Sequence, residues 1–376
     1  LKIKVQRNKL NDAIDRCLKA VSKKPIIPST GNILFTQEAE FLGLSSTDTN
    51  MSVRQLVSAE ILVPLEEFHS VSVSAAVLSG IISGLTKDYV ELDMQENSVK
   101  VSADGTNISM PVIPGAEFPS LPGPHEKLFE LDEDRIDELN ALAIPFCAPD
   151  TDARGQLRGI RIRRKAGKIE FMTCDGFRYS YLFSENNGEE FDINIPARAF
   201  RELKGLGNVE VWTNEGKNQL VFKGGNGTLA STVLQTQGFF ELPNYLRPIF
   251  DEKAHTRIVF GPNMLVGPVK LAALVSNEVN HQVELDFTPG SEFVSISAED
   301  SGKGSGVVES KCEIAGQPAT VAFNSDLLVQ TLDALKNRTI VMELDEQMSK
   351  MPQFTVQGKA GFVHGLSPLN RKKETK

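Results

Sequence analysis

The sequence is poor in the residues that build reactive or cross-linked sites. Its four cysteines, Cys17, Cys147, Cys174 and Cys312, are widely scattered and form no CxxC pair. A disulfide framework and a structural zinc site are therefore not expected, and a reducing cytoplasm is the expected compartment. The five histidines (His69, His125, His255, His281, His364) are equally dispersed. No HExxH, GxGxxG or GxxxxGK[ST] occurs, so the local signatures of zinc hydrolases, dinucleotide folds and P-loops are missing. Neither a metal nor a cofactor is expected. No apolar run approaches the roughly 20 residues that span a bilayer, and the N-terminal LKIKVQRNKL holds no signal-peptide h-region. No membrane partner is expected either. The stretch SGKGSG (301–306) looks like a phosphate cradle in composition alone. Its spacing is wrong and it lies between β-like runs, so it reads as a hairpin or surface loop.

What is present is the composition of a globular chain, 40% hydrophobic and 24% charged. A chain of 376 residues is too long for one ordinary core, so two or three domains are expected. The net charge of −9, from 40 basic and 49 acidic residues, argues against indiscriminate coating of nucleic acid. A local basic lining stays possible, because the field that matters is local.

Internal repetition organises the rest. GAEFPSLP (115–122) and GFFELPNYL (238–246) share a Gly, a Phe and a Pro-containing turn, about one third of the chain apart. Three segments of helical spacing recur at a similar interval: 8–22, 133–148 and 262–276. In the first, Leu10, Ile14, Leu18 and Val21 form one apolar stripe, with Asn8 as an N-cap. A second set interleaves, at 74–94, 196–213 and 324–344. Each of these reads as a helix of about ten to twelve residues followed at once by an alternating strand. Pro196 fits a first helical turn, and Asn324 or Ser325 a cap. Asp104-Gly105, Asp175-Gly176 and the Gly-rich run 224–227 mark hairpins. Two helices against antiparallel sheets, three times over, make an α+β repeat with domains at 1–123, 124–251 and 252–376. The two shared phrases then fall at the exits of the first two domains.

An ordered series of pieces resembles the bacterial DNA polymerase III beta subunit, the sliding clamp family, over nearly the whole chain. AVSKKPIIPSTGNILF (20–35) resembles the end of that family's first helix and its next strand. GAEFPSLP resembles its G-x-[DE]-[FY]-P-x-[LY] exit. RGQLRGI with TCDGFRY (154–160 and 173–179), IPARAFREL (195–203), ALVSNE (273–278) and AFNSDLLVQTLDAL (322–335) follow in family order. The resemblance implies a non-enzymatic ring: three clamp domains per chain, helices lining the hole, sheets outside, and a head-to-tail homodimer around duplex DNA. It also implies that polymerases and clamp-loader subunits dock through short, mostly apolar peptides.

Some residues fit that expectation and others resist it. A sliding ring needs sequence-independent phosphate contacts. Lys24 and Arg154 stand where the family places basic residues near DNA, and Arg198, Arg201 and Lys204 lie on a helix expected to face inward. The other reading of these residues is a solvated helix face. ELDEDRIDEL (130–139) is acidic and fits a positive hole badly. In GIRIRRK (159–165), Ile160 and Ile162 alternate with Arg161 and Arg163, which predicts a half-buried strand with a solvated basic face.

Carried over from the family, the peptide pocket comprises Leu157, Cys174, Gly176, Phe177, Arg178, Tyr179, Pro243, Arg247, Asn324 and Leu327. Cys174, Phe177 and Tyr179 replace the family's usual Thr, His and Leu, which leaves a bulkier pocket. The C-terminal FVHGLSPL (362–369) departs from the family's Met-Pro-Met-like strand, although Val363, Leu366, Pro368 and Leu369 could take its part. The tail beyond it is polar and reads as disordered. Ring closure would use Ile108 and Met110 on an edge strand and Leu274 on a domain-three helix. Two rivals stand beside the clamp. One is an enzyme built from scattered residues; the other is a clamp-derived protein-binding scaffold that no longer loads on DNA.

Overall fold

The computed structural model describes residues 1–63, 70–103, 105–225, 227–239, 256–344 and 351–369. Contacts divide the chain into two compact units. One comprises Leu1–Asp137 with Arg198–Val233, the other Glu138–Ala197 with Leu234–Lys376. The middle third of the sequence contributes to both.

In the first unit, 13 strands form one connected antiparallel sheet. The helix Arg7–Cys17 buries Leu10, Ile14 and Cys17 against the strand Phe41–Thr47. The Cys17 carbonyl there accepts from Ser46 Oγ at 2.7 Å. The predicted stripe is present, with Leu18 and Val21 half-buried beyond the helix. Its start differs from expectation. Gln6 occupies the cap position without a side-chain bond, and Asn8 instead accepts from Arg7 Nη2 at 2.6 Å. The neighbouring helix Ala75–Gly84 packs beside it. The sheet ends on the strand Thr106–Pro111, which pairs only with Ser98–Ala103 among the described residues. Ala103 faces Thr106 across the predicted Asp-Gly hairpin, whose Asp104 lies outside the described residues.

One helix is much shorter than predicted. Ala197–Arg201 spans five residues, after a strand, Phe191–Pro196, that includes Pro196. The chain leaves the helix through turns at Gly205 and Gly207, both at positive φ, where a longer helix would need αR backbone. Lys204 therefore lies beyond the helix.

The second unit holds a nine-stranded and a four-stranded antiparallel sheet. The helices Pro262–Ala273 and Ser325–Ala334 pack on each other. Asn324 caps the latter as predicted, its side chain accepting from Leu327 N at 3.0 Å. SGKGSG is the predicted hairpin, between strands Phe293–Asp300 and Gly304–Lys311. The arginine-rich strand Gly159–Lys165 corrects the sequence reading. Its arginines are not solvated. Arg161 grips Asp192 at 2.8 and 2.6 Å, and Arg163 reaches Glu170 at 2.7 Å with both side chains nearly buried. Lateral carboxylates, supplied by the two flanking strands, neutralise what the sequence presents as a bare basic face.

His364 lies fully buried in this unit, between the rings of Phe146 (4.1 Å) and Phe354 (6.0 Å). Its Nε2 sits 3.2 Å from Thr331 Oγ1. Burial, reinforced by the Arg178 charge, holds its pKa well below the ordinary 6.5. The unfolded chain then binds the proton first as pH falls, so stability present above pH 6.5 is lost below it. The expected loss is about 1.4 kcal/mol per pH unit from 6.5 downward. Melting temperatures taken between pH 7 and pH 5 should show this slope, and His364→Phe should flatten it.

Candidate functional site

The second unit gathers most of the predicted pocket. Leu157, in the 3-10 turn Gly155–Arg158, meets Cys174 and Tyr179 in one buried cluster with Met172, Tyr181, Phe239 and Val363. Cys174 ends the strand Lys168–Cys174 and Tyr179 is the second residue of Arg178–Glu185, and the two are paired across the hairpin. The turn between them is held by Asp175, whose carboxylate accepts from the backbone N–H of Phe177 (2.8 Å) and of Arg178 (2.7 Å). This Asx-type closure leaves Phe177 projecting, 59% exposed. Burial pushes the Cys174 thiol up to about 11, which makes it a wall and not a nucleophile.

Arg178 is buried and joins three elements. It binds Asp175 at 2.9 and 2.7 Å, donates to Gln330 Oε1 at 3.0 Å, and lies 5.3 Å over the Phe146 ring. Gln330 is on the helix that begins at Ser325, one turn beyond the half-buried Leu327. The C-terminal segment closes the arrangement, because Ser367 N donates to Phe177 O and Leu369 N to Ala322 O, both at 2.8 Å. Val363 and Leu366 are buried, so FVHGLSPL packs against this hairpin. Pro243 and Arg247 lie outside the described residues, as does the polar tail 370–376.

Tyr179 determines the shape of this place. Its ring lies against Gly365, its partner in the adjoining strand Phe362–Leu366. A Cβ at Gly365 would overlap that ring and stand 2.8 Å from Met351 Sδ. The phenol accepts from Gln353 Nε2 at 3.1 Å, and burial raises its pKa. The walls are thus closed on one another, with Leu157 at 1%, Cys174 at 6% and Tyr179 at 5% exposure. Gly365→Ala should cost about 1–3 kcal/mol by overpacking. Tyr179→Leu should recover most of it, and a double-mutant cycle by denaturant melting measures the coupling.

Arg154 belongs to this unit and to this turn. Its guanidinium binds Asp152 at 3.0 and 2.8 Å and the Asp175 carbonyl at 3.0 Å, over Gly176. The same contacts hold the Asp152 carboxyl down at about 2. The structure therefore places Arg154 with the pocket residues. The other basic candidates lie in the first unit. Lys24 and Arg201 are exposed. Arg198 pairs with Asp48 and donates to the Lys19 carbonyl at 3.1 Å, and Lys204 pairs with Asp137 at 3.3 Å.

Of the edge candidates, Ile108 is 37% exposed and Leu274 is 70% exposed, whereas Met110 is 3% exposed. Met110 is buried on the same strand face as the part-exposed Ile108 two residues away, which corrects its reading as an exposed edge residue. Gln330, Gln353, Met351 and Phe239 were not anticipated. Gln330 was reachable, because it continues the Asn324–Leu327 spacing by three. Gln353 meets Tyr179 from 174 residues further along the chain, and no local pattern announces it. Among the described residues no cluster of three or more His, Cys, Asp or Glu could hold a metal. No described helix is long and apolar enough to cross a membrane.

Repeated antiparallel sheets backed by helix pairs define a DNA-clamp fold. The structure superposes on the beta subunit of DNA polymerase from Streptococcus pyogenes with a TM-score of 0.88, at 19% identity, covering 99% of this chain and 100% of that one. The sliding clamp of Bacillus subtilis gives 0.86 at 18% identity, covering 99% of each. In sequence, the beta sliding clamp of Synechococcus elongatus is 24% identical over 362 residues, covering 93% of this chain and 94% of the relative. The family's N-terminal domain matches residues 1–122 and its C-terminal domain residues 247–355. The chain belongs to the DNA polymerase III beta subunit family, the sliding clamps of DNA replication, which are not enzymes.

Proposed function

We propose that two copies of this chain close head to tail into a ring around duplex DNA, and that the ring holds polymerase and clamp-loader subunits through short apolar peptides. The observation that carries this reading is a pair of unpaired sheet edges. Among the described residues, the strand Thr106–Pro111 of one unit has a single partner, and so does Gly304–Lys311 of the other. Exposed edges invite association. Joining two unlike edges makes a head-to-tail contact that closes as a ring in a dimer. Each edge carries an exposed apolar residue. Ile108 is exposed on the first, and Val77 is 49% exposed on the uncharged helix of the same unit. Val307 is 67% exposed on the second, beside the helix Pro262–Ala273, on and just after which Leu271 and Leu274 are exposed. The division into domains 1–123, 124–251 and 252–376 is part of this proposal, and the family's terminal-domain matches support it.

Sedimentation should give a particle of twice 41.2 kDa. Because the proposed contact is apolar, raising the salt should leave the dimer intact. A monomer at micromolar concentration would overturn the ring.

Lys24, Arg198, Arg201 and Lys204 are proposed phosphate contacts. Leu157, Cys174, Gly176, Phe177, Arg178, Tyr179, Asn324 and Leu327 are the proposed peptide groove, and Arg154 is at its rim. Since Leu157 and Tyr179 are core residues, the exposed Phe177 is the better probe. Phe177→Ala should weaken a polymerase-derived apolar peptide about tenfold without lowering the melting temperature. One observation favours a second reading, a scaffold no longer loaded on DNA: Arg198 and Lys204 are already paired with Asp48 and Asp137. Such a scaffold would bind the peptide and not the DNA.

A further inference from the structure

The segment after the first helix carries a feature that phosphate contact alone does not use. Beyond the turn Leu18–Ala20 the chain runs Lys23-Lys24-Pro25-Ile26-Ile27-Pro28, and Ile26 is 98% exposed. The loop is closed at its neck. Ser22 N donates to Thr30 O at 2.9 Å, Thr30 N and Oγ1 to Ile27 O at 3.0 and 2.8 Å, and Ser29 Oγ to Glu117 O at 2.9 Å. Two prolines fix φ on either side of the tip. An apolar, β-branched side chain is thus held outward on a braced support with nothing to pack against.

Its surroundings say what it meets. Lys19, Lys23 and Lys24 are exposed. The Arg198–Lys19 bond sets Arg198 and the exposed Arg201 alongside. The acids of these elements are Asp48, which is bound to Arg198, Asp12, Asp15 and Glu202, and the exposed Glu117, whose carbonyl braces Ser29. One apolar tip among lysines and arginines matches a partner that is polyanionic at its edge and apolar within. Duplex DNA has that chemistry, with phosphates along the groove and deoxyribose faces inside it.

Resting on the reading that DNA passes through the ring, we infer that Ile26 is a non-ionic DNA contact. It enters a groove against the sugars while Lys23 and Lys24 hold the flanking phosphates. Such a contact adds affinity without adding released counterions.

The test is the salt dependence of binding between the intact dimer and a short fluorescent duplex. Lys24→Ala should flatten the plot of log affinity against log salt by about one ion. Ile26→Ser should lower affinity about fivefold at every salt concentration and leave the slope unchanged. The side chain is exposed, so the melting temperature should not move. If Ile26→Ser binds as the wild type does, the inference is overturned while the DNA reading stands. A changed slope in Ile26→Ser, or normal DNA binding with weakened polymerase association, overturns it as well. Absence of any duplex binding by the wild type overturns the DNA reading and this inference together.

Discussion

Leu274→Asp combined with Val307→Asp should convert the dimer into a monomer and abolish retention on closed DNA. Both side chains are mostly exposed in the single chain, at 70% and 67%, so the substitutions leave each folded unit intact. In the proposed ring they become buried at both contacts, and an unpaired carboxylate placed in an apolar interface costs several kcal/mol. Four such charges per ring exceed what an edge-strand contact supplies. Sedimentation at micromolar concentration should show a single species of 41.2 kDa, with an unchanged melting curve apart from lost concentration dependence. Met110→Asp makes the control. At 3% exposure it should unfold its unit, not merely open the ring. A dimer that survives the double replacement would move the closure surface elsewhere.

The second large effect is on stability. Arg163→Met should destabilise its unit by about 3 kcal/mol or more. Glu170, left behind, is buried at 7% exposure and also accepts from Tyr181 Oη at 2.6 Å. Removing one member of such a group strands the other's charge, whereas removing all of it does not. Arg163→Met with Glu170→Leu and Tyr181→Phe should therefore recover most of the loss in a denaturant melt. Additive costs in the triple variant would show that the cluster is not coupled.

These two results mark where the sequence was legible. Helices and hairpins came through because local rules govern them. The Leu10–Ile14 stripe is a helical face, Asn324 is a cap, and Asp175 closes a turn. The family pieces brought Leu157, Cys174 and Tyr179 to one place because two of them pair across a single hairpin and Leu157 sits in the turn that leads into the neighbouring strand. What failed depended on the strand or turn that each residue joins, which the local pattern does not show. Arg161 and Arg163 read as solvent-facing because Asp192 and Glu170 sit on other strands. Met110 read as an edge residue because the sheet's inner face is not visible in NISMPV. The five-residue helix at Ala197 read as long because its apolar positions continue into turns, at Leu203 and Leu206, that are equally buried. Arg154 is bound to Asp152 and to the Asp175 carbonyl, contacts that its reading as a basic residue near DNA does not include. The closure of Tyr179 on Gly365 and Gln353 explains why a bulkier pocket is also a filled one, and why the C-terminal strand carries a glycine there.

The repeated phrase is described at one of its two uses. In GAEFPSLP, Gly115–Glu117 forms a 3-10 turn closed by Phe118 N to Gly115 O at 3.0 Å, and Phe118 is buried. It is a closed turn within the first unit. GFFELPNYL lies largely outside the described residues, where only Phe239 is seen to join the pocket cluster.

Topological linkage to DNA is the central claim, and one measurement addresses it directly. The clamp is assembled on a nicked circular plasmid, passed through a sizing column in high salt, and compared with the same DNA after linearisation. The ring predicts co-elution with the circle and release from the linear form, because a closed ring slides off an open end and phosphate contacts alone do not survive the salt. Equal loss from both, or equal retention on both, would contradict it.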